Sequence, residues 1–224
     1  KIVSNYNIHF SGLSCDLKTM DKIIKIAENN RYSISHVNQN EISNFYNAFY
    51  KYGCSSISMN EMKNRADMIL VIGDIDELSK KILIKFLREK KTKFSRKVYF
   101  VSSKKKSKSK SEIYIKNLYN YVNILNDIDS SDHDDINKRI LSSHYPVILL
   151  PNTKDFLLTQ LIFQSLMNFN KKKNLRILKL NGGNNSGGFI NSCVVKSGFP
   201  GPLNFTDWGS MFEPVELSTS EIVK

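Results

Sequence analysis

Four short stretches restrict the fold of this chain more than anything else in it: residues 68–72 (MILVI), 97–101 (KVYFV), 146–150 (PVILL) and 175–180 (LRILKL). A strand with one face in water alternates apolar and polar residues, whereas a continuous Val/Ile/Leu run is a strand buried on both faces. Helical spacing separates these runs. Residues 76–91 place Leu78, Ile82, Leu83, Phe86 and Leu87 inward, 132–143 open with an acidic turn that suits the helix dipole, and 153–170 carry Asp155 in the first turn. Ahead of them come a strand at 6–10 ending in Ser11-Gly12, then a helix at 17–30 through Leu17, Met20, Ile23, Ile24 and Ala27. A helix at 41–52 through Ile42, Phe45, Phe49 and Tyr50 follows, stopped by Gly53, and a short helix at 60–66 leads into the first apolar run. Residues 113–125 are apolar with an ambiguous period. Strand and helix in alternation predict an α/β fold, a doubly wound and mostly parallel sheet with helices on both faces.

With 224 residues and 41% hydrophobic content, the chain suits a single α/β region over 1–224, interrupted by a basic Lys/Ser insertion at 102–112. It starts at Lys1 rather than Met and ends like the first turn of a helix, so the expectation is a piece of a longer polypeptide. The net charge of +12 is densest in the run from Lys104 to Lys110, which reads as a solvated loop. No aromatic residues interleave with those lysines to stack bases, which argues against specific nucleic-acid binding. Cys15, Cys54 and Cys193 are widely separated, so no disulfide framework or metal-ligating cysteine pair is expected, and a reducing cytoplasm fits. No apolar run reaches membrane-spanning length. His9, His36, His133 and His144 fall at no metal-ligand spacing and accompany no nucleophile motif, which leaves them structural or exposed, with no catalytic and no metal residue.

In a doubly wound sheet, ligands bind beyond the carboxyl ends of the strands. There the chain places Asn181-Gly182-Gly183-Asn184-Asn185-Ser186-Gly187-Gly188-Phe189. Glycine lets a backbone turn sharply and approach a ligand closely, so Gly182, Asn184, Asn185, Gly187, Gly188 and Asn191 are the candidate binding residues. The loop is not a P-loop, having no Gly-Lys-Ser/Thr, and its glycines do not keep dinucleotide spacing. Asn185 and Asn191 could equally hold the loop by side-chain to backbone hydrogen bonds.

Two motif blocks resemble the B-type subunit of the molybdenum/tungsten formylmethanofuran dehydrogenases, and more closely its counterpart in the formyltransferase/hydrolase complex of methylotrophic bacteria. Glu61-Met62-Lys63-Asn64-Arg65-Ala66-Asp67 with the strand after it is similar to the family's Gly-Glu-Val-Lys-Asn-Arg-Ala-Asp. Gly182, Asn185, Gly188-Phe189, Cys193 and Ser197-Gly198-Phe199-Pro200 resemble its Gly-x-x-Asn-x-x-Gly-Phe and later Gly-Tyr-Pro. Ser11-Gly12-Leu13-Ser14-Cys15 resembles the start of the same region.

The resemblance implies a molybdopterin-oxidoreductase-like fold holding a pterin guanine dinucleotide of molybdenum or tungsten. It also implies amidohydrolase-like, formyltransferase and small β-helical partner subunits, exchange of formyl groups with tetrahydromethanopterin, and a formyl-carrier coenzyme. Against a competent metal site, Asp74, Asp76 and Glu77 stand where the dehydrogenases have an Asn-Pro and His-rich segment, and Asn181 and Gly183 replace basic and imidazole groups. Carboxylates beside a pyrophosphate repel it unless paired. The expectation is therefore a cofactor-free scaffold subunit in one-carbon metabolism. The rivals are an active pterin-dependent dehydrogenase subunit and a nucleotide- or RNA-binding module. Glu61, Arg65 and Asp67 are expected to pack the short helix, Cys54 and Cys193 to be buried, and Trp208, with Phe205 and Phe212, to anchor a core.

Overall fold

The computed structural model describes residues 8–88, 95–102, 112–114, 122, 134–150, 155–180, 183–214 and 217. The chain divides into two compact units, residues 1–47 with 181–224 and residues 48–180.

The second unit is the predicted sheet. Strands β3 (Met68–Ile72), β4 (Lys97–Ser102), β5 (Glu112–Tyr114), β6 (Pro146–Leu150) and β7 (Arg176–Lys179) pair in the order β5-β4-β3-β6-β7, all parallel. Every residue of β3 and β6 is buried, as the unbroken apolar runs require. Helices α3 (Met59–Arg65) and α4 (Glu77–Arg88) bury Met62, Leu83 and Leu87 on the face carrying Ile69, Val71 and Phe100. Helix α5 (Asp134–Ser142) sends Arg139 to the Tyr99 hydroxyl, 2.5 Å away, and α6 (Phe156–Phe169) is buried along most of its length. This is a doubly wound α/β arrangement.

Two inward positions of α4 are corrected. Leu78 and Ile82 are 68% and 59% exposed. The stripe that meets the sheet is centred on Leu83 and Leu87, and at about 100° per residue Leu78 and Ile82 fall more than a quarter-turn away.

The first unit holds a second sheet that periodicity did not reveal, in the order β1-β2-β8-β9: β1 (His9–Phe10), β2 (Ser33–Ile34), β8 (Leu203–Thr206) and β9 (Gly209–Phe212). Strands β1 and β2 are parallel and the rest antiparallel. Helix α1 (Leu17–Asn30) is capped by Asp16, which accepts from Lys18 N and Thr19 N, and it buries Met20, Ile24 and Ala27. These pack with Ile34, Leu203, Phe205 and the buried residues Phe189, Ile190 and Cys193 of a further helix, α7 (Ser186–Ser197). Helix α2 (Gln39–Tyr52) contributes Ile42 to this core and ends at Gly53, whose φ of +67° is the left-handed stop expected of it. Along α2, Ile42 and Phe45 are buried as expected, but Tyr50 is 53% exposed. Trp208 is also corrected: it stands 96% exposed at the tip of the β8–β9 hairpin, where Thr206 Oγ1 accepts from Trp208 N and donates to Gly209 O. Phe205 is the buried member of that trio, and Phe212 stacks on Phe199. The ambiguous segment 113–125 and the run 104–110 lie almost wholly outside the described residues.

Candidate functional site

Of the six candidate binding residues, Gly182 lies outside the described residues. The other five gather at α7: Asn184 and Asn185 lead into it, Gly187 and Gly188 form its first turn, and Asn191 is exposed farther along it. The glycine-rich stretch is thus half loop and half helix. Asn184 and Asn185 both sit in the left-handed region, with φ of +59° and +53°. Asn is the residue other than glycine that adopts this conformation most readily, and two in succession turn the chain from loop to helix.

Side chains already hold this turn. Asn185 Nδ2 donates to the Cys15 carbonyl at 2.7 Å, which ties the loop to the segment preceding α1. Gly188 makes that geometry possible, because a Cβ there would lie 2.5 Å from Asn185 Oδ1. His36 Nδ1 accepts from Asn38 N at 3.0 Å, so its Nε2 carries the proton and donates to the Asn184 carbonyl at 2.9 Å. His36 is fully buried against Phe189, at 5.3 Å between ring centroids, and burial lowers its pKa from the ordinary imidazole value. Gln39 accepts from His36 N and donates to Ser43, which continues a buried polar chain. Phe189 in turn lies where a Cβ on Gly201 would stand 2.6 Å from its ring.

The resemblance motif Gly-x-x-Asn-x-x-Gly-Phe therefore has an internal physical account. Asn185 is a tie, Gly188 leaves room for it, and Phe189 is a core anchor. His36 is the residue that sequence reading undervalued. Its only signal was a polar Ser35-His36 pair next to Ile34, and nothing in sequence linked it to a loop 148 residues on.

The other motif block lies at the amino end of the large sheet, away from the edge where ligands bind. Arg65 Nη1 donates to Glu61 at 3.3 Å, the predicted i, i+4 pair, and the Tyr145 hydroxyl donates to the same Glu61 oxygen. Asp67 accepts from His144 N at 2.6 Å and Tyr145 N at 2.9 Å, joining the start of β3 to the start of β6. The Tyr145 ring is covered by the Arg65 and Arg176 guanidinium groups at 4.6 and 3.8 Å. Arg96 was not singled out from sequence, being one cation among many. Its fork donates to the carbonyls of Ala66, Leu87 and Lys63 at 2.8, 2.9 and 2.6 Å, binding the last turns of α3 and α4 to the approach of β4.

At the carboxyl edge, β3 lies between its sequence neighbour β4 and the later β6, which makes the β3/β6 fork the switch point where such sheets bind ligands. Asp74 accepts from Ser102 Oγ at 2.5 Å. Asp76 accepts from Ser79 N and Ser79 Oγ, capping α4, and these bonds hold its carboxyl below the usual range. Two carboxylates, Asp74 and Asp76, thus follow β3. Residues 151–154, after β6, lie outside the described residues.

Neither unit presents an activated nucleophile among the described residues. Burial pushes the Cys54 thiol up to about 11 and Cys193 higher still. Among the described residues no group of three His, Cys, Asp or Glu side chains could hold a metal ion, and no helix is long and apolar enough to cross a membrane.

No protein-family model and no curated protein matches the sequence. Among solved structures, the chain is similar to one chain of the formyltransferase/hydrolase complex (FhcABCD) from Methylorubrum extorquens in complex with methylofuran, with a TM-score of 0.79 and 13% identity over 96% of this chain. The likeness establishes the fold. The match spans 64% of that chain's length.

Proposed function

We propose that this chain is a scaffold component of a formyl-processing complex in one-carbon metabolism, equivalent to the B-type subunit, with no metal centre of its own. The observation that carries the reading is the backbone likeness to a chain of a formyltransferase/hydrolase complex, which extends over 96% of the residues. The state of the motif residues supports it. Asn185, Gly188, Phe189, Glu61, Arg65 and Asp67 hold the fold together through their bonds and packing.

A pterin dinucleotide fits the described residues poorly. Asp74 and Asp76 follow β3 on the edge where such sheets bind ligands, and the Ser79 bonds hold the Asp76 carboxyl below the usual range, so negative charge there disfavours a diphosphate. The role left to the chain is surface: it holds amidohydrolase-like, formyltransferase and small β-helical partners in register, and its positive charge suits an anionic formyl-carrier coenzyme.

The test is metal and pterin content of the full-length protein isolated with its native partners, by elemental analysis and pterin fluorescence. A formyl-processing assembly without molybdenum, tungsten or pterin supports the proposal. Near-stoichiometric metal with pterin refutes it in favour of a redox role, and isolation of the chain without companion subunits refutes the scaffold role.

A further inference from the structure

The positive charge of this protein is unevenly placed. Residues 48–180 contain 26 Lys and Arg against 13 Asp and Glu, while the other unit contains 7 against 8, so the whole excess belongs to the unit built on the large sheet. Within that unit, Lys81, Lys85 and Arg88 of α4, with Ile84, line a shallow groove of about 530 Å³ that no carboxylate lines among the described residues.

The groove is part of a longer face. At about 100° per residue, Lys81, Lys85, Arg88 and Leu78 fall within one outward sector of α4, with Ile82 on one flank and Ile84 on the other. Leu83 and Leu87 occupy the opposite side and pack on the sheet. The cations stand about 6 and about 10 Å apart along the axis, which is the spacing of i, i+4 and i, i+7 positions on a facing helix. Leu78 and Ile82, 68% and 59% exposed, form an i, i+4 apolar pair beside them.

The geometry points to the outer face of α4 as a docking surface for an acidic amphipathic helix of a partner protein. Glutamates on that helix face Lys81, Lys85 and Arg88, and its apolar stripe covers Leu78 and Ile82. A second copy of this chain does not suit the face, since each copy has a net charge of +12. Nucleic acid does not suit it either: among the described residues no aromatic lines the groove to stack a base, and phosphates gain nothing from the Leu78–Ile82 pair. The inference is independent of the formyl chemistry proposed above and would stand if that chemistry were wrong.

The experiment uses the full chain and defined probes: a helical peptide of about 18 residues with glutamates at i, i+4 and i+7 beside a leucine stripe, the same peptide with glutamine for glutamate, and single- and double-stranded oligonucleotides. The glutamate peptide should bind, and the glutamine peptide should bind about ten-fold more weakly or not at all. Lys81→Glu with Lys85→Glu should weaken the glutamate peptide about ten-fold or more, and raising salt should do the same. Leu78→Ser with Ile82→Ser should weaken the peptide several-fold while leaving any oligonucleotide binding unchanged. Both positions are outward, and circular dichroism verifies that each variant is folded. Should the charge reversal unfold the protein, Lys81→Gln with Lys85→Gln takes its place. The proposal is overturned by peptide affinity that ignores the substitutions, by tighter binding of an oligonucleotide lost with the same cations, or by self-association that the reversal abolishes.

Discussion

Gly188→Ala tests the account of the glycine-rich turn directly, because its effect depends on one neighbouring side chain. Gly188 is the third residue of α7, and alanine in a helix is favoured over glycine by up to about 1 kcal/mol. Yet the new Cβ would lie 2.5 to 2.8 Å from the terminal atoms of Asn185, a side chain pinned by its 2.7 Å bond to the Cys15 carbonyl. Asn185 has to swing away, at the expense of that hydrogen bond, about 1 kcal/mol. The two effects nearly cancel, so the single substitution should be neutral or destabilising by up to about 1 kcal/mol. With Asn185→Ala already present the obstacle is gone, and Gly188→Ala should then stabilise by about 0.5–1 kcal/mol. The coupling between the two sites is therefore about 1 kcal/mol. Urea unfolding of the four proteins followed by circular dichroism measures it, and amide exchange across α7 locates the change. A coupling below about 0.3 kcal/mol, the scatter of independent sites, would refute the claim that Gly188 is there to accommodate Asn185.

Arg96→Ala should destabilise by about 3 kcal/mol because three helix-end carbonyls lose a charged donor, and Arg96→Lys should recover little, since an ammonium cannot reproduce the fork; thermal melting reads both. Tyr145→Phe removes one bond to a partly exposed Glu61 and should lower stability by only about 1 kcal/mol in urea unfolding, with both guanidinium–ring contacts retained. In the native protein at pH 8, peptide mapping after alkylation should show Cys54 and Cys193 modified far more slowly than after unfolding, because burial keeps both thiols protonated. Burial lowers the folded-state pKa of His36 and His9 below 6.5, so the unfolded chain takes up protons first as pH falls. Stability present above about pH 6.5 should decline below it, by at most about 1.4 kcal/mol per pH unit for each histidine. His36→Gln should flatten that slope in a series of melts from pH 7.5 to 5.

The large sheet was readable because β3 and β6 are buried on both faces, and burial on both faces leaves an unbroken apolar run. Of the small sheet only the strand at 6–10, which contains β1, was readable; the other strands have two or four residues, too short for a period to register. Helix α7 was hidden for a related reason. Its opening Ser186-Gly187-Gly188 has poor helix propensity, and the helix is held by burial of Phe189, Ile190 and Cys193 instead. The candidate binding residues that the structure describes gather at α7, but the partners that occupy Asn184 and Asn185, His36 and Cys15, are remote in sequence. Leu78, Ile82 and Trp208 show the converse limit: an apolar residue in sequence carries no label for inside or outside until the stripe that meets the core is known.

The three carbonyls held by Arg96 have a consequence for how the protein comes apart in acid. A guanidinium keeps its proton throughout the physiological and acidic range, so the tie among α3, α4 and β4 survives mild acidification untouched. The corresponding ties of the other unit run through His36 and His9, whose rings are held neutral by burial and break their bonds when acid protonates them. Acid unfolding should then proceed in two stages, the histidine-tied unit loosening while the arginine-tied sheet persists, and a single melting temperature would cease to describe the molecule below about pH 6.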